Sequence, residues 1–538
     1  MEEKVMKKTK SVPRHFWIFF LILVIGIFLR TYHFSDWLRF NSDQSRDSKS
    51  VRLMLEGKEF PLLGPVAGGT NFKLGPITYY FQYASASLFG LSPDKMAYAD
   101  LFWGILSIPL LYVLLLNYFK KETSLFLSGL YAVCCFAIQY SRFAWNPNSA
   151  PFFGMLFMLA ALKLCEASGK KKILWAIFCG LALGILVQLH TILLAGAPLA
   201  FFLVSILWFK NKSFRLKYWL IIVLATLLVN IPQIVNEINT KGANYFALID
   251  AVSIKNQNQS SLPRNIMAAV NCHFGSNLKI ILPLGDMREK ASCQFIDSAE
   301  YKRLKKSENI IELAGKLSLL MISYLFSIGG YVFLFLSYKS CSEAGKKNFI
   351  LVVSIFILSL MIFIFLVAQE ITLRYFILLS FVPYIFLGLW IRHIVNFKKV
   401  GKPLITIIAI ILLTFNVLAI KKAFTYWSQD GNVVDGSLDQ VRNAADYIVK
   451  SSHSGKIQIY SSKNEFGRFK NRISYFTDKM GIEVFEIDKE SEVDWSIPAV
   501  AVINKPFKDY EIGDFYKLGY IVDLNKIDGI WIMRLSEE

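Results

Sequence analysis

The stretch Asn41-Ser42-Asp43-Gln44-Ser45-Arg46-Asp47 carries the residue types that proton transfer needs. Asp43 and Asp47 are four residues apart, so a helix would place both on one side with Arg46 close by. A carboxylate beside a guanidinium stays ionised and can accept a proton from a hydroxyl. Cations stand elsewhere in the chain. Lys73 lies in Asn71-Phe72-Lys73-Leu74-Gly75-Pro76, Arg142 in Ser141-Arg142-Phe143-Ala144-Trp145-Asn146-Pro147-Asn148, and Arg374 precedes Tyr375. Such groups suit a phosphate oxyanion. Tyr79, Asn146, His190 and Glu370 are further candidates for substrate contact. On chemistry alone, the first stretch also reads as a solvated charged loop, and His190 as a hydrogen-bonded helix end.

The elements that must position these residues are apolar. The chain has 538 residues, 54% of them hydrophobic. Eleven runs approach bilayer length: Phe16–Phe34, Met96–Tyr118, Ser124–Tyr140, Ser149–Cys165, Ile173–His190, Thr191–Phe209, Tyr218–Val235, Ile311–Ser337, Phe349–Ala368, Tyr375–Ile391 and Leu404–Ile420. The expected fold is therefore a polytopic α-helical membrane protein. The net charge is +19, yet Lys and Arg do not gather in an aromatic-rich patch, so nucleic acid is not an expected partner. They fall between the runs, as at Lys120 and Lys121, at Lys170 to Lys172, and at Arg392, Lys398, Lys399 and Lys402. This is the bias of cytoplasmic loops. Lys4, Lys7, Lys8, Lys10 and Arg14 precede the first run with no small-residue cleavage site after it, which reads as a retained helix with a cytoplasmic N-terminus. An odd number of spans then puts the C-terminus outside the cytoplasmic (inner) membrane.

That topology gathers the polar residues on one side. Gln188 and His190 end one run, Asn230, Gln233 and Glu237 end another, and Glu370, Arg374 and Tyr375 lie at the mouth of two more. Polar groups at the hydrocarbon edge need partners or water, so an outer cavity is expected. Val51, Met54 and Leu55 suit a helix resting on the membrane surface. Residues 1–420 form the expected membrane domain, with outer loops 35–95 and 236–309. Residues 421–538 read as a small extracytoplasmic α/β domain, with a helix at Leu438–Val449 and strands at Lys456–Tyr460, Glu483–Glu486, Val500–Ile503, Tyr520–Leu524 and Ile530–Leu535. The tail has no Gly-rich phosphate loop and no metal-spaced Cys or His set, which suggests support or positioning. Cys272 and Cys293 share the second outer loop, where an oxidising compartment permits a disulfide.

The ordered segments Asn41–Asp47, Pro61-Leu62-Leu63-Gly64-Pro65, Lys73–Tyr80, Ser141–Phe152, Gln188-Leu189-His190-Thr191 and Leu373-Arg374-Tyr375 resemble bacterial GT-C glycosyltransferases. The nearest type is that of the protein mannosyltransferases and aminoarabinose transferases, over roughly residues 15–420. The resemblance implies a GT-C fold and transfer of a sugar from a polyprenyl-phosphate carrier outside the cytoplasmic membrane. It maps the base to Asp43, the carrier phosphate to Lys73, and the late Arg-Tyr pair to Arg374 and Tyr375. The chain departs from the aminoarabinose-transferase pattern at Phe72, where that pattern has Glu, and at Asn146, where it has Asp. No cofactor is identified by these residues, and a divalent metal ion stays an open question.

The expected activity is an inverting, polyprenyl-phosphate-sugar-dependent hexosyl or pentosyl transferase of the cell envelope. One carboxylate base with direct attack needs no covalent sugar–enzyme step. Its partners would be the lipid-linked sugar donor, membrane lipids and an extracytoplasmic glycan, lipid or protein acceptor. A polytopic transporter or flippase is the first rival, although internal repeats and midplane charges are lacking. Another lipid-dependent envelope transferase is the second, and a nonenzymatic assembly factor the third.

Overall fold

Hydrocarbon offers no partner to a peptide N–H or C=O, so an apolar run that crosses it must close its hydrogen bonds within a helix. The computed structural model describes residues 13–210, 215–257, 262–284, 292–296, 298–307, 309–367, 371–397, 400–428, 436–451, 455–460, 467–487, 493–503 and 519–537. Among them, eight helices are long and apolar enough to span a bilayer: Arg14–Thr31, Pro93–Leu115, Asn146–Glu166, Gly169–Leu189, Thr191–Lys210, Ile310–Ser340, Ala344–Leu366 and Gly401–Ser428. Two further pairs pass the same test only together and are sharply bent, Leu216–Val229 with Ile231–Asn239 at 63° and Leu373–Leu379 with Val382–Ile394 at 67°, each a broken span or a re-entrant turn. Pro232 and Pro383 stand in the first turn after each bend, where a missing N–H is tolerated. The run Ser124–Tyr140 is interrupted, as Lys121–Ala132 and Cys135–Tyr140. The chain is thus a multi-pass membrane protein, with eight to ten candidate spans among the described residues where eleven were expected, because Ser124–Tyr140 is broken into two short helices.

The interruption would leave backbone groups unpaired inside the bundle. Arg30, fully buried, donates to Ala132 O at 2.7 Å and to Gly26 O at 3.1 Å. Asn416 accepts from the Cys135 N–H at 3.1 Å and donates to Ile281 O and Leu412 O, each at 2.9 Å. Polar side chains at membrane depth here close the gaps that a broken helix opens.

The tail folds as a five-stranded sheet: β1 (Lys456–Tyr460), β2 (Glu483–Ile487), β3 (Ala499–Ile503), β4 (Tyr520–Ile527) and β5 (Ile530–Ser536), in the order β2-β1-β3-β5-β4. β1 runs parallel to β2 and β3, whereas β5 is antiparallel to β3 and β4. Alternation sorts the side chains: Val500, Val502, Ile530 and Ile532 face the core shared with the bundle, while Ala499, Ala501, Met533 and Leu535 face the other side. Helix Leu438–Ser451 packs on the sheet, and helix Gly467–Lys479, which the sequence reading did not anticipate, joins it.

The domain is stitched to the loop after the first span. Residue 39 bridges residue 437, Leu438 N–H donates to Leu38 O at 2.8 Å, and Phe40 N–H donates to Gly436 O at 3.1 Å. Phe40 is fully buried and meets Tyr475 and Phe476 edge-on. Both loops between spans contain helices of their own, Ile77–Phe89 in the first and Ala243–Gln257, Leu262–Ile281 and Ser298–Lys306 in the second.

Candidate active site

The helix Ser42–Leu55 starts where Asn41 caps it. Asn41 Oδ1 accepts from the N–H groups of Asp43 at 2.9 Å and Gln44 at 3.4 Å, and Gln44 Oε1 accepts from the Asn41 N–H at 3.1 Å. This reciprocal cap fixes the first turn and aims Asp43, Arg46 and Asp47. Arg46 joins the two carboxylates. Its Nη1 is 3.1 Å from Asp43 Oδ1, while Nε and Nη2 are 2.9 and 2.8 Å from Asp47 Oδ1. The Tyr79 hydroxyl donates to the same Asp47 oxygen at 3.2 Å.

The two carboxylates differ in exposure. Asp43 has a side chain 45% exposed, and Asp47 is at 0%. Asp47 Oδ2 is buried without a hydrogen-bond partner among the described residues. Burial pushes the Asp47 carboxyl up to about 6, against the pull of Arg46. Burial works against the charge on Arg46, but Asp47 and then Asp43 overcome it and raise its pKa. Tyr79 is also pushed up, by burial first and by Asp47 next, so it remains a donor. The arrangement offers an accessible carboxylate, a cation that orients it, and a buried carboxylate that orients the cation.

The helix does not rest on the membrane surface. Val51 and Met54 are buried against Tyr79, Ala86 and Met96, because helix Ile77–Phe89 occupies that side. The other side meets the tail domain: Lys49 pairs with Asp478 at 3.0 Å, and Arg52 donates to Tyr475 O at 3.2 Å over the Tyr475 ring. Gln44 Nε2 donates to Ala144 O at 2.8 Å, tying the helix to the segment after the interrupted span. Next to that bond, Trp145 N–H donates to Asp100 Oδ2 at 3.3 Å. Asp100 is buried and within electrostatic reach of Asp47. Sequence reading passed over it because it lies in an apolar run; an acidic residue in a transmembrane helix was the available signal.

The remaining candidates meet at the end of helix Gly169–Leu189. Residues 64–74 form a hairpin, with Gly64 N–H donating to Leu74 O at 2.8 Å and Leu74 N–H to Pro65 O at 2.9 Å. The turn that follows Lys73 presses on Gln188, whose Oε1 accepts from Ile77 N–H at 3.1 Å and whose Nε2 donates to Val229 O at 3.0 Å. Gly75 lies against Gln188 so closely that a Cβ would stand 2.6 Å from Cδ. Asn146 donates to Leu189 O at 2.6 Å, and the His190 ring meets Tyr375 edge-on, with the Arg374 guanidinium 5.7 Å from the Tyr375 centroid. Residues 188–190 therefore gather the Lys73 turn, the Asn146 segment and the Arg374–Tyr375 segment at one end of the bundle. Lys73 is exposed, and Asn244 grips its backbone from both sides, accepting from its N–H at 2.8 Å and donating to its C=O at 3.0 Å. Glu370 lies outside the described residues.

Arg142 stands apart, and its expected role as a phosphate ligand does not fit its place. It is buried, donates to Arg30 O at 2.9 Å, His33 O at 3.1 Å and Leu29 O at 3.4 Å, and stacks over Trp427. It caps the C-terminal end of the first helix, where carbonyls lack intrahelical partners. Cys272 and Cys293 are disulfide-bonded, with Cα atoms 4.8 Å apart, and lie beside Ile371. Among the described residues, no group of three His, Cys, Asp or Glu side chains is placed to hold a metal ion.

The profile of the dolichyl-phosphate-mannose-protein mannosyltransferase family matches residues 73–235, from Lys73 to Val235 within helix Ile231–Asn239. No curated protein matches in sequence. The fold is similar to ArnT from Cupriavidus metallidurans in the apo state, at TM-score 0.57 and 11% identity, covering 97% of this chain and 98% of that one. The same protein bound to undecaprenyl phosphate matches at TM-score 0.55 and 12% identity, with the same coverage. An oligosaccharyltransferase from Archaeoglobus fulgidus matches at TM-score 0.50 and 12% identity, covering 94% of this chain and 71% of that one. The chain therefore shares the fold of these solved structures, in line with the GT-C fold that the sequence resemblance implies.

Proposed function

We propose that the protein is an inverting glycosyltransferase that moves a sugar from a polyprenyl-phosphate carrier to an extracytoplasmic acceptor. The observation that carries this reading is the Asp43–Arg46–Asp47 arrangement at one end of a GT-C bundle. Asp43 takes the proton of the acceptor hydroxyl, whose oxygen attacks the anomeric carbon. The bond from that carbon to the phosphate oxygen breaks on the opposite face, and polyprenyl phosphate leaves. Lys73 and Arg374 offset the charge on the departing phosphate. Asp47 holds Arg46 so that Asp43 keeps its aim, and Tyr79 shares that work. The structure of ArnT with undecaprenyl phosphate supports a lipid phosphate as the donor class. The disulfide in the second long loop supports an oxidising compartment on the side of the site.

The test separates phosphate recognition from simple affinity for a long apolar tail. Purified protein should be stabilised against heating by undecaprenyl phosphate and not by undecaprenol, with Lys73→Ala weakening the response. An equal response to both lipids would contradict the proposal. Mass spectrometry of envelope glycans and lipids from cells lacking the protein would identify the acceptor.

A further inference from the structure

The span Leu216–Val229 does not simply run out into a loop. It bends by 63° into Ile231–Asn239, and a turn with positive φ at Lys241 and Gly242 leads into Ala243–Gln257. At 9 and 15 residues, neither helix can cross a bilayer. On the first, Ile231, Ile234, Val235 and Ile238 form one stripe at helical spacing, and all four are exposed, Ile238 at 72%.

The second helix is apolar on two sides. Ala247, Leu248 and Ala251 form a stripe packed on Ala67, Phe72 and Leu74 of the hairpin that carries Lys73. Asn244 belongs to the same stripe and grips the Lys73 backbone. The flanking stripe is Tyr245, Ile249 and Val252, with Phe246 further round the helix, and these are exposed, Tyr245 at 58% and Phe246 at 59%. A helix outside a span with a second, exposed apolar stripe is most stable when that stripe is also removed from water. Leu224, Leu227 and Leu228 of the preceding helix are exposed too, and side chains of that kind on a membrane helix face acyl chains. Polar groups collect at the turn instead, where Glu237 accepts from Tyr245 N–H at 3.1 Å.

We propose that Ile231–Asn239 and Ala243–Gln257 form an elbow seated in the boundary between lipid headgroups and acyl chains, holding the Lys73 hairpin at headgroup level. The occupant of the exposed faces is phospholipid. Asn244 is then a positioning residue, since it transmits the depth of the elbow to Lys73. The seating rests on the exposed faces alone, and its link to a lipid phosphate rests on the function proposed above.

Photo-crosslinking tests the seating without turnover. The full chain carrying p-benzoylphenylalanine at Phe246 is reconstituted in phosphatidylcholine–phosphatidylglycerol vesicles and irradiated. Phospholipid adducts should exceed, several-fold, those from the same probe at Tyr520, an exposed position on β4. Adducts no more frequent than at Tyr520, or crosslinks only to a second protein copy, would overturn the seating. The coupling is read from affinity for undecaprenyl phosphate in the same vesicles. Phe246→Glu and Asn244→Ala should each weaken it several-fold, and Phe246→Leu should restore it. Wild-type affinity in both weakened variants would overturn the coupling. Lipid adducts at Phe246 in a protein that ignores undecaprenyl phosphate would leave the seating intact and refute the proposed function.

Discussion

Replacing Gly75 with Ala should unseat the turn that follows Lys73. Gly75 does not have a positive φ, so the cost comes from contact and not from the backbone. The new methyl would overlap Cγ, Cδ and Oε1 of Gln188. Gln188 would have to swing away, giving up Ile77 N–H at 3.1 Å and Val229 O at 3.0 Å. Overpacking costs about 1–3 kcal/mol, and each lost hydrogen bond about 1 kcal/mol. The expected destabilisation is therefore about 3–5 kcal/mol. Gln188→Ala alone loses these bonds and the one to Gly184 O at 3.3 Å, without the overlap, and should cost about 2–3 kcal/mol. In the double variant the space left by Gln188 accepts the methyl, so Gly75→Ala should add almost nothing, and the cycle should be strongly non-additive. Reversible unfolding in mixed micelles measures all four proteins. Wild-type stability for Gly75→Ala, or additive costs in the cycle, would refute the reasoning.

Other outcomes follow from the same geometry. Asp47 orients Arg46 only as a carboxylate, and burial pushes it up to about 6, so transfer should rise with pH through that value in the wild type and lose this limb in Asp47→Asn. The folded pKa lies above the unfolded one, about 3.9, so the Asp47 contribution to stability is full below the unfolded value and falls as pH rises through about 6; superimposable pH profiles for the two proteins would contradict both statements. Arg142→Ala should cost about 2–3 kcal/mol by stripping helix-end carbonyls, with unchanged affinity for undecaprenyl phosphate, and the reverse pattern would return Arg142 to the phosphate. Nonreduced peptide mapping should recover the Cys272–Cys293 link, whose removal costs about 3 kcal/mol in unfolding measurements; free thiols at both positions would remove it.

Hydropathy made the membrane fold legible, since each apolar run needs about a bilayer's thickness whatever it packs against. The tail strands were legible too, because alternation such as Lys456-Ile457-Gln458-Ile459-Tyr460 encodes two faces locally. Helix Gly467–Lys479 was missed, its apolar residues being sparse and part of its packing surface lying far off in helix Ser42–Leu55. The same distance explains the error over Val51 and Met54: an apolar helix side looks alike whether lipid or helix Ile77–Phe89 covers it. Within the site, the spacing of Asp43, Arg46 and Asp47 was readable, but which carboxylate is buried was not. That depends on Tyr79, thirty-two residues onward. Arg142 looked like a ligand because sequence records a charge and not the carbonyls that claim it. Gln188 was visible as an edge polar residue, yet its role needs Gly75 in contact.

The central claim is that Asp43 removes the acceptor proton while Asp47 only positions Arg46. Once a donor and acceptor are in hand, sugar transfer by purified Asp43→Asn and Asp47→Asn, each measured across pH, tests it most directly. Asp43→Asn should lose about a hundredfold to ten-thousandfold in rate at every pH, while still folding and binding undecaprenyl phosphate. Asp47→Asn should lose less and should lack the limb near pH 6. Normal turnover by Asp43→Asn, with Asp47→Asn inactive at every pH, would contradict the account and move the base one helical turn onward.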